Sequence, residues 1–135
     1  MNQLSKHLNI ATLLFLHGLI TLAAGIVLII DPNVIPSVVG IHLPQSAYLM
    51  SYLLGTAELC IAVVSFGGAK VKDRLALRII ISSFLVLHVS TALIEIYAYA
   101  NGLSAIIWGN IAFRVVVVAL FAYFGLIRAS PKAAI

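Results

Sequence analysis

The sequence predicts an all-α integral-membrane protein, a four-helix up-down bundle, and three observations predict it. The chain is 63% hydrophobic and only 9% charged, with a mean hydropathy of +1.17, whereas a soluble domain carries about 25% charged residues. Too few charges remain to cover a water-facing surface, so most of that surface must meet lipid. Four long apolar runs, each near the ~20 residues that cross a hydrocarbon core, alternate with short breakers. The basic residues gather at the ends of these runs. Residues 1–135 therefore read as a single four-span domain, with a short amphipathic interfacial segment between the first two spans.

The first run covers residues 8–30 and stops at Asp31-Pro32. It is longer than the apolar stretch of a secretory signal and shows no obvious small-x-small site before Asp31-Pro32, so it reads as a retained span. The next segment, DPNVIPSVVGIHLPQS, holds Pro32, Pro36, Pro44 and Gly40. Proline fixes φ and removes a donor, which rules out one regular helix here. Val34, Ile35, Val38, Val39 and Ile41 still make it apolar, which suits a short helix lying on the membrane. The second run covers 47–66 and ends at Gly67-Gly68, a helix stop. A basic turn with Lys70, Lys72, Asp73 and Arg74 follows. The third run covers 75–100 and closes at Asn101-Gly102, a tight-turn pair. The fourth covers 105–127 and is followed by Arg128, Pro131 and Lys132.

Charge sets the expected orientation. Lys6, the cluster at 70–78, Arg128 and Lys132 share one side, while the loops at 31–45 and 101–104 contain no Lys or Arg. By the positive-inside rule both termini are cytoplasmic and the protein sits in the cell's inner membrane. Tyr48, Tyr52, Tyr97, Tyr99 and Trp108 gather near the opposite interface as an aromatic belt. The net charge of +4 and pI near 9.5 thus mark topology and anionic lipid heads rather than nucleic acid. Cys60, the single cysteine, excludes an internal disulfide and reads as a packing residue.

The polar chemistry starts in SYLLGTAELCIAVVS, residues 51–65. Ser51, Gly55, Glu58, Ala62 and Ser65 follow at steps of four and three, which aligns them on one helix face. Leu53, Leu54, Ile61 and Val64 take the opposite face. Across all spans, the strongly polar residues at depth are His17, Glu58, His88, Asn110 and Arg114. At ~1.5 Å per residue, His17 and Glu58 lie ~14 Å from the basic side, Arg114 ~16 Å and His88 ~20 Å. Every span therefore delivers an ionisable group to one central slab, where a charge costs at least ~2.5–3.5 kcal/mol and normally faces a partner or a wet cavity. Glu58 and Arg114, opposite in sign and similar in depth, are the expected pair. Thr91 and Glu95 share a face with His88, and Thr21 with His17. Glu95 lies nearer the outer interface and reads as solvated.

Several chemistries fit such a layer. A small amphipathic ligand, quinone- or lipid-like, would find hydrogen-bond donors at His17, His88, Asn110 and Arg114. Haem held by His17 and His88 is a second option, though no flanking ligand spacing accompanies them. No HxxxH, ExxH or CxxC supports a metal site. Glu58 could act as proton donor or base on a lipid-like substrate. No serine or cysteine elbow points to nucleophilic catalysis. A Glu–Arg pair would equally fix bundle register, as a structural or accessory subunit of a larger membrane complex or a homo-oligomer requires.

The Asp-Pro and Pro-rich loop after the first span, with GTAE at 55–58 on the second, resembles the DoxX-like family of small four-span bacterial membrane proteins. The layout extends over most of the chain, and Gly55 and Glu58 match the Gly-x-x-Glu element in detail. The resemblance implies a four-helix membrane bundle, with some relatives tied to quinone-linked redox metabolism. The CxxC-like thiols of some redox-linked relatives have no counterpart here, and no catalytic residue is carried over.

Overall fold

The computed structural model describes residues 9–128. They form four long helices, α1 (Ile10–Ile30), α3 (Tyr48–Gly68), α4 (Arg74–Ala100) and α5 (Ile107–Phe121), and one short helix, α2 (Val34–Val38), in the first loop. A 3₁₀ turn at Gln45–Ala47 leads into α3, and π-helical turns at Ala122–Ile127 extend α5. All four long segments are long and apolar enough to cross a membrane. The fold is all-helical among the described residues, as the sequence predicts, and it is that of a multi-pass membrane protein. Lys6, Leu8, Pro131 and Lys132 lie outside the described residues.

Local chemistry sets the helix ends. Asn9 precedes α1 with an extended backbone and accepts a hydrogen bond from the Thr12 amide at 3.0 Å. Asp73 does the same for α4, accepting from the Ala76 amide at 2.8 Å. Each side chain satisfies one of the amides that a helix start leaves without a partner. The chain turns beyond α4 through Gly102, at φ +98°, a conformation glycine adopts without penalty.

The predicted interfacial segment is present as α2, whose residues are not buried. It is held by Asn33, whose side-chain oxygen accepts from the Leu43 amide at 2.8 Å and whose amide donates to the Leu43 carbonyl and the Tyr48 hydroxyl. Ser51 at the head of α3 donates to the Pro32 carbonyl at 2.8 Å. The first loop is thereby tied back onto the start of α3.

Helix pairing follows small residues. α1 packs along α3, and α4 along α5. Gly25 and Gly55 oppose each other: a Cβ on Gly25 would stand 2.8 Å from the Gly55 carbonyl oxygen, and one on Gly55 3.0 Å from that of Gly25. No side chain fits there, so the two backbones touch, the close approach by which membrane helices gain packing without a hydrophobic driving force. The pairs join toward the basic side around Leu13, Leu14, Ile81, Phe84 and Phe121. The predicted stripe on α3 turns inward, with Ser51, Gly55, Ala62 and Ser65 buried and Glu58 half-buried. Leu53, Leu54 and Val64 face outward as expected, whereas Ile61 packs against the core. Cys60 is exposed on the outer face, so it is not the internal packing residue its apolar setting suggests.

Candidate functional site

The polar groups of the bundle join into one hydrogen-bonded chain across three helices and onto the fourth. His17 on α1 and His88 on α4 meet through their Nε2 atoms at 3.0 Å, both side chains buried. The Nδ1 of His17 lies 2.8 Å from the Ser65 hydroxyl on α3, which donates in turn to the Ile61 carbonyl. On the other side, Arg114 Nη1 on α5 approaches His88 Nδ1 at 3.4 Å. The Nε of Arg114 donates to Glu95 Oε1 at 3.0 Å, and the Asn110 amide donates to the same oxygen at 2.6 Å.

Donor chemistry assigns every proton in this chain. A guanidinium only donates, so His88 Nδ1 accepts and the His88 proton sits on Nε2. That proton points at His17 Nε2, which must then offer its lone pair. His17 consequently carries its proton on Nδ1 and donates it to Ser65, whose own proton goes to Ile61. The hydrogen bonds all run one way, from α5 to α3, with both imidazoles neutral. Phe84 and Phe121 wall the pair, their ring centroids 4.7 and 5.2 Å from that of His17. With Leu13, Leu14 and Ile81 they make an apolar floor between the histidines and the basic end of the bundle. The chain runs from this floor toward the loop side, where Asn110 is exposed.

Three sequence expectations are corrected here. Arg114 pairs with Glu95, not with Glu58, and Glu95 is well covered, its side chain 12% exposed, rather than solvated. The reason is geometric: Glu95 lies on the His88 face of α4, and α5 packs along α4, so Arg114 meets that carboxylate first. Glu58 makes no hydrogen bond or ion pair with a described residue. The proposed haem ligation also fails on distance. Two Nε2 atoms in hydrogen-bond contact leave no space for a macrocycle between them.

Of the five predicted site residues, His17, His88, Asn110 and Arg114 are therefore brought together, and Glu58 is bonded to none of them. Ser65 and Glu95 belong to the chain although neither was among the five. The available signals were the Ser65 position on the Glu58 stripe and the shared face of His88, Thr91 and Glu95. One feature of the chain is unsatisfied: Glu95 Oε2 is sealed from solvent with no hydrogen-bond partner among the described residues. A shallow groove of about 510 Å³ lies elsewhere, on the flank of α4 at Arg78, Ile79, Ser82, Ser83 and Val86. It borders none of the polar chain.

Fold and site together define a multi-pass helical membrane protein with a buried polar centre. No family model, curated protein or solved structure matches the chain.

Proposed function

We propose that the polar centre binds a small amphipathic molecule, quinone- or lipid-like, drawn from the bilayer of the inner membrane. The observation that carries this reading is the unfilled acceptor capacity at the Arg114 end of the chain. Glu95 Oε2 is sealed without a partner, and the Glu58 carboxyl, half-buried on α3, is unbonded. An unsatisfied buried acceptor costs about 1–3 kcal/mol, and a bound head group would remove that penalty. Asn110, exposed at the edge of the bundle and bonded to Glu95, gives a lipid-dissolved molecule a lateral approach. The four-span layout shared with the DoxX-like family supports the same reading. In this orientation the basic turn between α3 and α4 and both termini are cytoplasmic, and the polar chain communicates with the loop side.

The test is solvent extraction of the purified protein followed by mass spectrometry. The wild-type protein should yield a stoichiometric amphipathic small molecule, whereas Glu58→Gln and Glu95→Gln should retain less of it while still inserting into the membrane. Equal retention by both variants contradicts the site assignment.

A second reading is favoured by the degree to which the histidines, Ser65, Arg114 and Asn110 already bond one another: the chain is a clasp that fixes helix register, and the protein is an accessory subunit. Tight co-purification of other membrane subunits, with no small molecule extracted, supports that reading instead.

A further inference from the structure

The shallow groove on the flank of α4 is lined by Arg78, Ile79, Ser82, Ser83 and Val86. Arg78, Ser82 and Val86 follow at steps of four, so they stack along one exposed stripe of the helix. Ser82 is the unusual member. The other serine and threonine hydroxyls of the four long helices are occupied: most donate to a carbonyl about one turn back, Thr12 to Asn9 and Ser51 to Pro32. Ser83, its neighbour, donates to the Ile79 carbonyl at 2.9 Å. Ser82 has no hydrogen-bond partner among the described residues. Against lipid rather than water, an unpaired hydroxyl is a donor with a strong demand for an acceptor.

Depth sorts these groups. The 27 residues of α4 run about 40 Å at ~1.5 Å each, against a hydrocarbon core of ~30 Å, so the helix reaches into the head-group layers. Counted from Arg74, Arg78 lies about 6 Å along the axis, Ser82 about 12 Å and Val86 about 18 Å. A phospholipid has the same order: phosphate, ester carbonyls, acyl chain. Charge selects the kind of phospholipid. Lys70, Lys72, Arg74 and Arg78 stand at this end, and within residues 70–78 only Asp73 opposes them, its carboxylate capping α4 at the Ala76 amide. Such a cluster attracts an anionic lipid, whereas a zwitterionic one carries its own cation into the same field. We infer that the groove is a site for one anionic phospholipid of the basic-side leaflet. Its phosphate is held by the Arg78 guanidinium, an ester carbonyl accepts from the Ser82 hydroxyl, and an acyl chain lies on Ile79 and Val86. A guanidinium has five donors in a planar fork that fits a phosphate, so Arg78 can serve the lipid alongside a protein partner. The site is separate from the polar centre and does not rest on the binding reading given for it.

Two lipids with identical acyl chains test it, phosphatidylglycerol and phosphatidylcholine. Each is titrated into the delipidated full-length protein in detergent, and native mass spectrometry gives the apparent Kd of the first lipid bound. Phosphatidylglycerol should bind about fivefold or more tighter than phosphatidylcholine. Arg78→Gln should remove most of that preference, while Lys72→Gln, which deletes the same charge in the preceding turn, should leave most of it. Ser82→Ala should weaken both lipids alike, by about threefold, because the ester carbonyl is common to them. Equal affinity of the wild-type protein for the two lipids overturns the inference. So do equal losses in Arg78→Gln and Lys72→Gln, which would mean that the lipid answers to pooled charge rather than to the groove. Unchanged binding in Ser82→Ala overturns the ester contact. Arg78 and Ser82 are both exposed, so neither variant disturbs the core, and the wild-type comparison needs no variant at all.

Discussion

At the residue scale, Arg114 organises the polar centre because it serves two partners at once. Its Nε holds Glu95 Oε1 and its Nη1 faces His88 Nδ1, and a planar fork of donors is the group that can do both. Replacing it by leucine leaves the Glu95 carboxylate in an apolar slab without its counter-charge. Breaking a buried pair in this way costs about 3–5 kcal/mol. Arg114→Leu should therefore destabilise the bundle by roughly that amount in a steric-trapping or denaturant unfolding assay in bilayers. Arg114→Leu combined with Glu95→Leu should recover most of the loss, because the stranded charge is gone. Two losses that simply add would show that the residues do not act as a pair. Although Glu95 read as solvated, His17, His88, Asn110 and Arg114 were legible in the sequence as a set, since polar side chains are rare in the spans and must find one another. Their pairing was not. Glu58 and Glu95 are the same chemistry at different depths, and the choice between them depends on which helices pack side by side, which four spans of similar composition leave open.

At the element scale, span positions and capping signals were readable because apolar length, proline and glycine act locally. The Asp31-Pro32 and Asn101-Gly102 breaks fall at the helix ends. The π-helical extension of α5 had no signal in the sequence; within it Gly125 packs so near Ile81 that a Cβ would lie 2.9 Å from its Cγ2. The α1–α3 contact makes a sharper test. Gly25 lies against the carbonyl of Gly55, whereas Gly67 on the same pair of helices has open space where a side chain would go. Gly25→Leu should separate α1 from α3 and lower the thermal midpoint in detergent by several degrees, and Gly67→Leu should leave it unchanged. A similar response from both would mean that the backbones do not meet at Gly25.

At the scale of the whole molecule, the bundle is two helix pairs joined by an apolar floor on the basic side and by a polar chain above it. The asymmetry gives the membrane orientation a consequence. In the proposed orientation, with the basic turn cytoplasmic, a Lys72→Cys variant in a Cys60→Ser background should resist a membrane-impermeant thiol reagent applied to intact cells, and His42→Cys in the first loop should react. The reverse pattern would invert the topology. The account depends most on the directed hydrogen bonds between the helices, and those are directly observable. Nitrogen-15 histidine spectra of the protein in bilayers at neutral pH should show two neutral imidazoles of opposite tautomer, His17 protonated on Nδ1 and His88 on Nε2, with a coupling across the Nε2–Nε2 hydrogen bond. Two imidazoles of the same tautomer, or an imidazolium at either position, would contradict it.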